Sequence, residues 1–542
     1  MPVYLQEEQR RGWTKVSPPK SEFLQAAREA VNSGAAGWVF HTYAGFVLRS
    51  KNFLENLDAV EREVLDSLGA VVFGAVAVQS SNVPAGGALR VHPTNPRYFT
   101  DGSGGPDASP RAVLLTGCFT WPTVQDWGPT DPPLPFDYGA YLDLLRAQGH
   151  NYFRMFRFEL SRERFNPTAA AYYGLAEWMH CAPHPWPRVG PGLARDGKPR
   201  FDLSRFDESY FRRLRSRVQA AQARGVYVGI MLFEGWHLKG SPESWPYHPF
   251  HPENNINGID GDANDNGQGE EIHSLAVPPV WEIQRAYIHN VVKTVNDLDN
   301  VLFETANESA VPGSAEWQYE IIREIKKLES TLPKQHPAGM GSQAWDRLAD
   351  HEVLWRNPGE WTSVGTPTGY DRAADPYLSD PPAADGRKVS ILDTDHLGWT
   401  RFIDDAAFAR AWVWKAFTRG HNPILMENLA DRPGWIAARA ALGHVRSYAN
   451  KLSLAAMTPQ NDLSTTRYCL ANVGLEYLVY QPGTGEFSVN LAAGNHAFEW
   501  FNPTTRAVVS TGSVKTAGGN QTFAPPFAGP AVLYLKVTGS HY

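Results

Sequence analysis

Cysteines and long apolar runs are both scarce in this sequence. Its 542 residues include only three cysteines, Cys118, Cys181 and Cys469. They are too few and too far apart for a disulfide framework or for a metal site of closely spaced thiolates. No segment reaches the roughly 18 consecutive apolar residues that cross a bilayer. We therefore expect neither structural disulfides nor a membrane as partner.

The first residues also lack the features of a secretory signal. Residues 1–6, Met-Pro-Val-Tyr-Leu-Gln, contain no basic region and no apolar run of signal length. The sequence as it stands is therefore expected to be cytoplasmic, or secreted if a signal peptide has been removed.

An excess of positive charge is missing as well. The 50 Lys and Arg residues are outnumbered by 57 Asp and Glu residues, which gives a formal net charge of -7. This balance argues against nucleic acid as a partner. No glycine-rich phosphate loop and no G-x-S-x-G motif stands between a strand and a helix, so nucleotide-binding and serine-hydrolase functions lack support. A neutral substrate fits this composition better.

Aromatic residues, in contrast, are abundant. The sequence has 18 Trp and 21 Tyr, and sugar-binding clefts stack the faces of pyranose rings on such side chains. The alternative is that a large fold with long loops simply buries them. The length predicts two to four domains, and 42% apolar with 20% charged residues describes a globular protein.

The central part of the sequence alternates short apolar strands with helical patterns. This alternation is typical of βαβ units and a parallel sheet. Eight repeats predict a (β/α)8 TIM barrel over residues 89–455. The predicted strands lie at 112–117, 151–156, 226–233, within 300–309, and at 337–342, 360–364, 388–392 and 423–426.

Two further segments flank this barrel. Residues 1–88 read as an N-terminal α/β segment that resembles the end of a barrel, with strands near 2–8 and 37–42 and helices near 21–33 and 53–68. Residues 456–542 contain short strands separated by Gly, Asn, Pro and Thr turns, which predicts an antiparallel β-sandwich. The sandwich either packs on the barrel as an ancillary domain or binds carbohydrate.

The fourth predicted strand carries the leading catalytic candidate. Its apolar residues run into Asn307 and Glu308, where polar loop residues begin. In (β/α)8 barrels the carboxyl ends of the strands hold the chemistry. The Glu308 carboxyl is placed to give or take a proton while Asn307 fixes a sugar hydroxyl. The alternative is that Glu308 is only a solvated residue at a strand end.

Further carboxylates follow the seventh and eighth strands. Retaining glycoside hydrolysis needs two carboxyls about 5 to 5.5 Å apart, one as acid/base and one as nucleophile. With Glu308 as acid/base, we favour Asp395 as nucleophile because it lies nearer the rim than Asp393. Asp393 has the alternative of a structural hydrogen bond to Arg or to backbone. Glu427 is the third candidate.

Other polar and aromatic residues at the strand ends are candidates for binding substrate. Such convergence of hydrogen-bonding groups and rings is what a polyol requires. The predicted substrate-binding residues are Asn307, Arg154, Trp121, Trp236, His237, His396 and Trp399.

One loop resembles part of a calcium site. Asp262, Asn264, Asn266 and Gly267 match the start of a calcium-binding loop, but His273 stands where a bidentate Glu would be needed. The loop predicts either a structural calcium ion or a polar rim that binds sugar hydroxyls. The predicted hydrolysis itself requires no cofactor.

A metal-dependent hydrolase is a further alternative. It would use the cluster at residues 393–396, which contains Asp393, Asp395 and His396. No separate pair of histidines supplies the remaining ligands that such a site needs. We therefore predict no catalytic metal.

These motifs together resemble a known group of enzymes. Asn307-Glu308 with the Arg-bearing second strand looks like clan A of the glycoside hydrolases, which are retaining (β/α)8 enzymes. The segments 393–396, 421–426 and 498–503 resemble apiosidase-like barrels that carry a C-terminal sandwich of the collagen-binding type. The sequence departs from the clan at the seventh strand, where Asp stands in place of a nucleophilic Glu. Either the substrate sits deeper, Glu427 is the nucleophile, or hydrolysis inverts through a water molecule.

The sequence therefore predicts a glycosidase in an α/β fold. The expected reaction is cleavage of a glycosidic bond in a plant or microbial polysaccharide or oligosaccharide, with retention. The alternative is a carbohydrate-binding protein whose barrel has lost catalysis. Carbohydrate is the predicted partner, and the chain is expected to be a monomer or a homodimer.

Overall fold

The structure is a computed structural model, and it divides into two compact units, residues 1–81 and 82–542. In the first unit, strands Val3–Gln9 and Ala35–His41 pair in parallel, close to the two strands predicted there. The two helices predicted in this segment lie outside the described residues. The structure describes residues 3–9, 35–41, 87–104, 110–165, 167–239, 242–309, 311–341, 351–364, 376–397 and 399–538.

Eight parallel strands form a nearly closed barrel in the second unit, as predicted. Their order around the sheet is β1-β8-β7-β6-β5-β4-β3-β2. A backbone hydrogen bond of 3.0 Å from Asn151 to Thr116 links the two ends of the sheet. The strands are β1 Gly117–Phe119, β2 Tyr152–Met155, β3 Tyr227–Glu234, β4 Val301–Asn307, β5 Ala338–Met340, β6 Trp361–Thr362, β7 Val389–Asp393 and β8 Asn422–Met426.

The first strand differs from the prediction of 112–117, since it starts only at Gly117. Side chains replace ladder hydrogen bonds just before it. Asn422 Oδ1 accepts from the backbone N–H of Leu115 at 2.9 Å, and Asn151 Oδ1 accepts from that of Thr116 at 3.0 Å. The apolar residues before Gly117 are buried; these amides hold the backbone of Leu115 and Thr116, and the backbone N–H of Val113 donates to Phe99 O at 2.7 Å.

Helices surround the barrel, and their apolar faces pack on it. In the third helix, Asp207 caps the N-terminus by accepting from Ser209 N, while Leu214 and Val218 are buried. The helices are α1 Tyr138–Ala147, α2 Pro167–Tyr173, α3 Glu208–Gln222, α4 Trp236–Lys239, α5 Pro278–Val295, α6 Ser314–Glu329, α7 His351–Arg356, α8 Pro376–Ser379, α9 Ala406–Thr418 and α10 Pro433–Lys451. Short 3-10 helices span Pro242–Tyr247, Glu270–His273, Asp395–Leu397, Trp399–Phe402, Leu454–Ala456 and Asn461–Leu463.

The loops after β1 and β2 contain additional strands. Asp126–Gly128, Arg162–Arg164 and Trp178–Ala182 form a three-stranded antiparallel sheet with the last of them in the middle. A hairpin follows, made of Arg188–Leu193 and Pro199–Phe201. Before the barrel, Arg90–Val91 pairs with Phe99–Thr100.

Antiparallel strands follow the barrel, as predicted for this part of the chain. A six-stranded sheet in the order β9-β10-β11-β16-β13-β14 packs over the two-stranded sheet β12-β15, with residues such as Val479, Leu533, Val489 and Phe523 in the shared core. The strands are β9 Thr458–Pro459, β10 Cys469–Asn472, β11 Glu476–Gln481, β12 Phe487–Leu491, β13 Gly494–Asn502, β14 Ala507–Thr516, β15 Gly519–Phe523 and β16 Ala531–Val537.

Aromatic contacts join these sheets to the barrel. Trp414 of α9 stacks on Tyr480 of β11 with ring centroids 6.1 Å apart, and Tyr448 of α10 donates to Glu499. Among the helices in the described part of the chain, none is long and apolar enough to cross a membrane.

The close pairing of β5 and β6 predicts a stability effect at Gly339. An added Cβ there would lie 2.2–2.5 Å from indole atoms of the buried Trp361. We expect Gly339→Ala to lower the free energy of unfolding by about 1–3 kcal/mol, as overpacking does. Urea unfolding measures this change. Gly483→Ala is the control, because its Cβ would meet nothing within 4 Å; equal stability of both variants would contradict this packing.

Candidate active site

Arg154 lies on β2, and its side chain is buried. It contacts the ends of β4 and β7, the two strands that precede the candidate catalytic residues Glu308 and Asp395. Its Nε and Nη2 donate to the two oxygens of Glu304 on β4 at 2.8 and 2.7 Å. Its Nη1 donates to Asp393 at 2.8 Å and to Asp395 at 3.1 Å. Its Nη2 also reaches Asn307 Oδ1 at 2.9 Å. One guanidinium therefore brings the carboxyl ends of β4 and β7 together.

These contacts engage every N–H of Arg154, since a guanidinium has five donors. The arginine is 2% exposed. The predicted contact of Arg154 with substrate therefore stays a prediction, while the structure gives it a role inside the protein. Buried charges of this kind require partners that satisfy both charge and hydrogen bonding.

One cation faces three carboxyls here, and two of them, Asp393 and Asp395, have raised pKa values. Burial raises the pKa of Asp393 well above its usual range; Arg154 opposes that rise, and the neighbouring Asp395 adds to it. Burial likewise raises the pKa of Asp395 to about 6 against the opposing effect of Arg154. The Asp393–Asp395 pair therefore holds a proton more tightly than ordinary carboxyls do.

The two aspartates differ in access to solvent. Asp393 is the last residue of β7 and its side chain is 0% exposed, whereas the side chain of Asp395 is 10% exposed. Asp393 Oδ1 also accepts from the backbone N–H of Asp395 at 2.9 Å. The hydrogen bonds to Arg and backbone that were the alternative for Asp393 are thus both present, and Asp395 lies nearer the surface.

Glu308 lies in a strained turn immediately after β4. It is 5% exposed and its φ is +43°, in the left-handed region. For a residue other than glycine such backbone costs about 1–3 kcal/mol and often marks a functional site. Gly235 makes the turn possible: its N–H donates to Asn307 O at 2.7 Å, and a Cβ on it would lie 2.5 Å from Ser309 Cα.

The amide of Asn307 is oriented by two charged partners. Its Oδ1 accepts from Arg154, and its Nδ2 donates to Glu234 Oε1 at 3.2 Å. Glu234 ends β3 and also caps α4, where it accepts from the backbone N–H of Trp236 at 2.8 Å. His237 Nδ1 lies 3.0 Å from Glu234 Oε2. Asn307, Trp236 and His237 are therefore brought together around one carboxylate.

Of the remaining predicted binding residues, the structure gives side-chain contacts for Trp236 and Trp121 but not for His396 and Trp399. Trp236 stacks on Phe165 with centroids 5.3 Å apart, and the half-buried Trp121 lies 5.4 Å from Trp127. His396 and Trp399 belong to short 3-10 helices after β7. Their side chains lie outside the described residues, so their predicted roles stay predictions.

Glu427, the third nucleophile candidate, has its own environment. It is fully buried, and its Oε2 lies 2.9 Å from Arg439 Nε of α10. Burial raises the pKa of Glu427 to about 7, although Arg439 and Cys118 oppose part of this rise. Within the described part of the chain Arg154 does not contact it, so Glu427 lies in a separate ion pair.

Sequence reasoning gave no role to Glu304. Glu304 is a charged residue inside an otherwise apolar strand, and Arg154 is a residue of opposite charge inside another such strand. Opposite charges in two buried strands predict an ion pair across a barrel, because isolated charges are too costly to bury. Reading the two strands together would have found it.

The acidic loop after β3 is held by its own side chains. Asp262 accepts from the backbone N–H groups of Asn266 at 3.1 Å and Gly267 at 2.7 Å. His273, at the position of the missing calcium ligand, is buried against Glu159 instead. In the portion of the chain that is described, no three His, Cys, Asp or Glu side chains are grouped to hold a metal ion. The calcium site stays a prediction.

Solved structures with this fold include glycoside hydrolases. One glycoside hydrolase covers 85% of this chain and 99% of its own, with 11% identity and a TM-score of 0.51. A candidate glycoside hydrolase from Bacteroides vulgatus covers 84% of this chain and 83% of its own, with 13% identity and a TM-score of 0.54. A family 5 glycoside hydrolase from the same organism covers 83% of this chain and 94% of its own, with 12% identity and a TM-score of 0.49.

Comparison of sequences gives no assignment. No protein-family profile matches the chain, and no curated protein is similar to it. At 11–13% identity the structural matches show the fold alone. They confirm the (β/α)8 barrel expected from the sequence.

The charge balance around Arg154 predicts a pH-dependent loss of stability. Arg154→Met leaves Glu304, Asp393 and Asp395 without their cation, and we expect a loss of about 3–5 kcal/mol at pH 8. The loss should shrink towards pH 5, because carboxyls with raised pKa values in the folded state bind more protons than the unfolded chain does.

Urea unfolding at both pH values measures this effect. Arg215→Met is the control, since Arg215 donates to Thr294 O and pairs with the exposed Asp297, a surface ion pair worth about 1 kcal/mol or less. A loss for Arg154→Met that is equal at both pH values would contradict the account.

Proposed function

We propose that this protein is a glycoside hydrolase that cleaves a glycosidic bond in a plant or microbial polysaccharide or oligosaccharide with retention of configuration. The observation that carries the proposal is the Arg154 contact set. It joins the Asn307-Glu308 end of β4 to the Asp393 and Asp395 carboxyls of β7 in a (β/α)8 barrel. Two carboxyls that flank the glycosidic bond are what this reaction requires.

Glu308 acts as the acid/base. In the first step its carboxyl gives a proton to the leaving oxygen while the glycosidic bond breaks. In the second step the resulting carboxylate takes a proton from the attacking water. The strained turn at Glu308 supports this role, because backbone strain of this kind clusters at active sites.

Asp395 acts as the nucleophile. Its ionised carboxylate attacks the anomeric carbon, forms a glycosyl ester, and is released when water attacks the same carbon. Its side chain is more exposed than that of Asp393, and Arg154 favours its charged form. Asp393 then serves as a buried partner that positions Arg154. Glu427 fits the nucleophile role less well, because it is fully buried beside Arg439.

The carbohydrate is held by groups around the strand ends. Asn307 is oriented for a sugar hydroxyl, and the rings of Trp121 and Trp236 are half-exposed. His237 has a buried Nε2 without a partner among the described residues, which suits a hydroxyl donor. Apiosidase-like specificity and a collagen-binding type of sandwich remain part of the proposal, as do a monomeric or dimeric state and the absence of a required cofactor.

Replacing Glu308 tests the proposal. We expect Glu308→Gln to lower kcat by about a hundredfold or more, because the amide cannot protonate the leaving group. Product release from aryl glycosides and plant polysaccharides measures activity. Glu329→Gln is the matched control, since Glu329 is a buried glutamate paired with His336 near the start of β5. Full activity of Glu308→Gln would contradict the role of Glu308, and binding without turnover by the unaltered protein would favour a carbohydrate-binding function.

The ionisation of Asp395 predicts a pH profile. The nucleophile must be charged, so we expect kcat/KM to fall below about pH 6, where Asp395 gains its proton. The fall should approach tenfold for each pH unit, as for one protonation. Asp297→Asn, an exposed aspartate, should leave the profile unchanged. An acidic limb near pH 4 would indicate that a different, unperturbed carboxylate is the nucleophile.

A further inference from the structure

A second buried carboxylate, Glu159, lies at the centre of another hydrogen-bond network. It is 1% exposed and follows β2. Its Oε1 accepts from the backbone N–H of Glu234 at 2.9 Å and lies 2.9 Å from His273 Nε2. Its Oε2 lies 3.2 Å from His248 Nε2. Three donors thus converge on one carboxylate.

The protonation states in this network follow from its contacts. His248 Nδ1 accepts from the backbone N–H of Phe250 at 2.9 Å, so its proton is on Nε2 and faces Glu159. Burial alone would raise the pKa of Glu159, but His273, Arg157 and the hydrogen bonds hold it well below its usual range. Burial lowers the pKa of His273, which favours the neutral ring. Its Nε2 donates to Glu159, and this leaves Nδ1 as an acceptor.

The acceptor nitrogen Nδ1 of His273 connects this network to the left-handed turn at Glu308. Ser309 Oγ lies 3.2 Å from His273 Nδ1, and its hydroxyl donates to that nitrogen. Ser309 directly follows Glu308, and its carbonyl accepts from Ser314 Oγ at 2.9 Å. Because Ser309 is 1% exposed, its hydroxyl is a structural donor and not a nucleophile. A continuous chain therefore leads from Glu159 to the backbone beside Glu308.

We propose that Glu159, His273 and Ser309 are positioning residues that hold Glu308 in its catalytic orientation. The anionic carboxylate fixes the tautomer of His273, the imidazole fixes the Ser309 hydroxyl, and that hydroxyl locks the left-handed turn. Glu159 also fixes the end of β3 through Glu234, the residue that orients Asn307. The inference rests on the proposed function, because it assigns a purpose to the orientation of Glu308.

A similar pair elsewhere in the barrel provides a control. Glu329 and His336 are both buried, with Oε1 and Nδ1 2.6 Å apart. The other ring nitrogen of His336 lies 2.8 Å from Leu298 O, a backbone group before β4, away from the strand ends that carry Glu308 and Asp395. Glu329→Gln therefore reproduces the loss of a buried Glu–His pair without touching the catalytic turn.

The first test is steady-state kinetics of Ser309→Ala and Glu159→Gln on the substrate that the unaltered protein cleaves best. We expect both variants to lose kcat by about 10–100-fold while KM changes by less than about threefold, because misplacement of a catalytic group affects the transition state more than binding. Glu329→Gln should keep kcat within about threefold. Unchanged kcat in Ser309→Ala would overturn the proposal.

Ser309→Ala keeps the test informative if Glu159→Gln fails to fold. Glu159→Gln leaves Arg157, 3.7 Å from Glu159, without its counter-charge and can prevent folding. Ser309→Ala removes only one hydroxyl and keeps every ion pair. A loss of kcat in Ser309→Ala therefore counts in favour of the proposal whether or not Glu159→Gln folds.

Crystal structures of the unaltered protein and Ser309→Ala separate this inference from the proposed function. If the unaltered protein cleaves no glycoside, the proposed function fails, and the structures alone decide the positioning role. Displacement of the Glu308 carboxyl or a rotated His273 ring in Ser309→Ala supports it. An unchanged Glu308 turn and an unchanged ring overturn it.

Discussion

The pairing of Arg154 with three carboxyls is the interaction on which the site depends. A guanidinium with 2% exposure cannot stay charged in the barrel interior unless acceptors satisfy all of its donors. Glu304 accepts hydrogen bonds from one edge of the guanidinium, and Asp393, Asp395 and Asn307 accept from its remaining N–H groups. This requirement fixes the ends of β2, β4 and β7 relative to one another. It also leaves more negative than positive charge in a buried site, where burial raises the pKa of both aspartates.

The Glu159 network forms a second layer of hydrogen bonds beside the first layer, which is made by Arg154 and its acceptors. Where Arg154 joins β4 to β7, Glu159 joins the end of β3 to the turn after β4 through Glu234 and His273. Asn307 lies between the layers, since its amide contacts Arg154 on one side and Glu234 on the other. Buried polar networks of this kind are rigid when fully satisfied. Rigidity is what a reaction with two carboxyl groups needs, because small displacements of either group reduce the rate.

Much of the fold could be predicted because each barrel strand is a short apolar run bounded by polar residues. The start of β1 could not, since it depends on amides of Asn151 and Asn422 that are distant in sequence. The pair Asn307-Glu308 was visible as a strand end followed by polar residues. Its left-handed turn was not, because that backbone conformation is imposed by the close approach of Gly235. The Glu159 network likewise joins residues more than a hundred positions apart.

Covalent labelling of the nucleophile tests the central claim most directly. The measurement is incubation with a 2-deoxy-2-fluoro glycoside of the sugar that the protein cleaves, followed by peptide mass spectrometry. The account predicts a glycosyl ester on Asp395, together with product of retained configuration from the ordinary substrate. A label on Glu427 or Asp393, or product of inverted configuration, would contradict the assignment of Asp395 as the nucleophile of a retaining reaction.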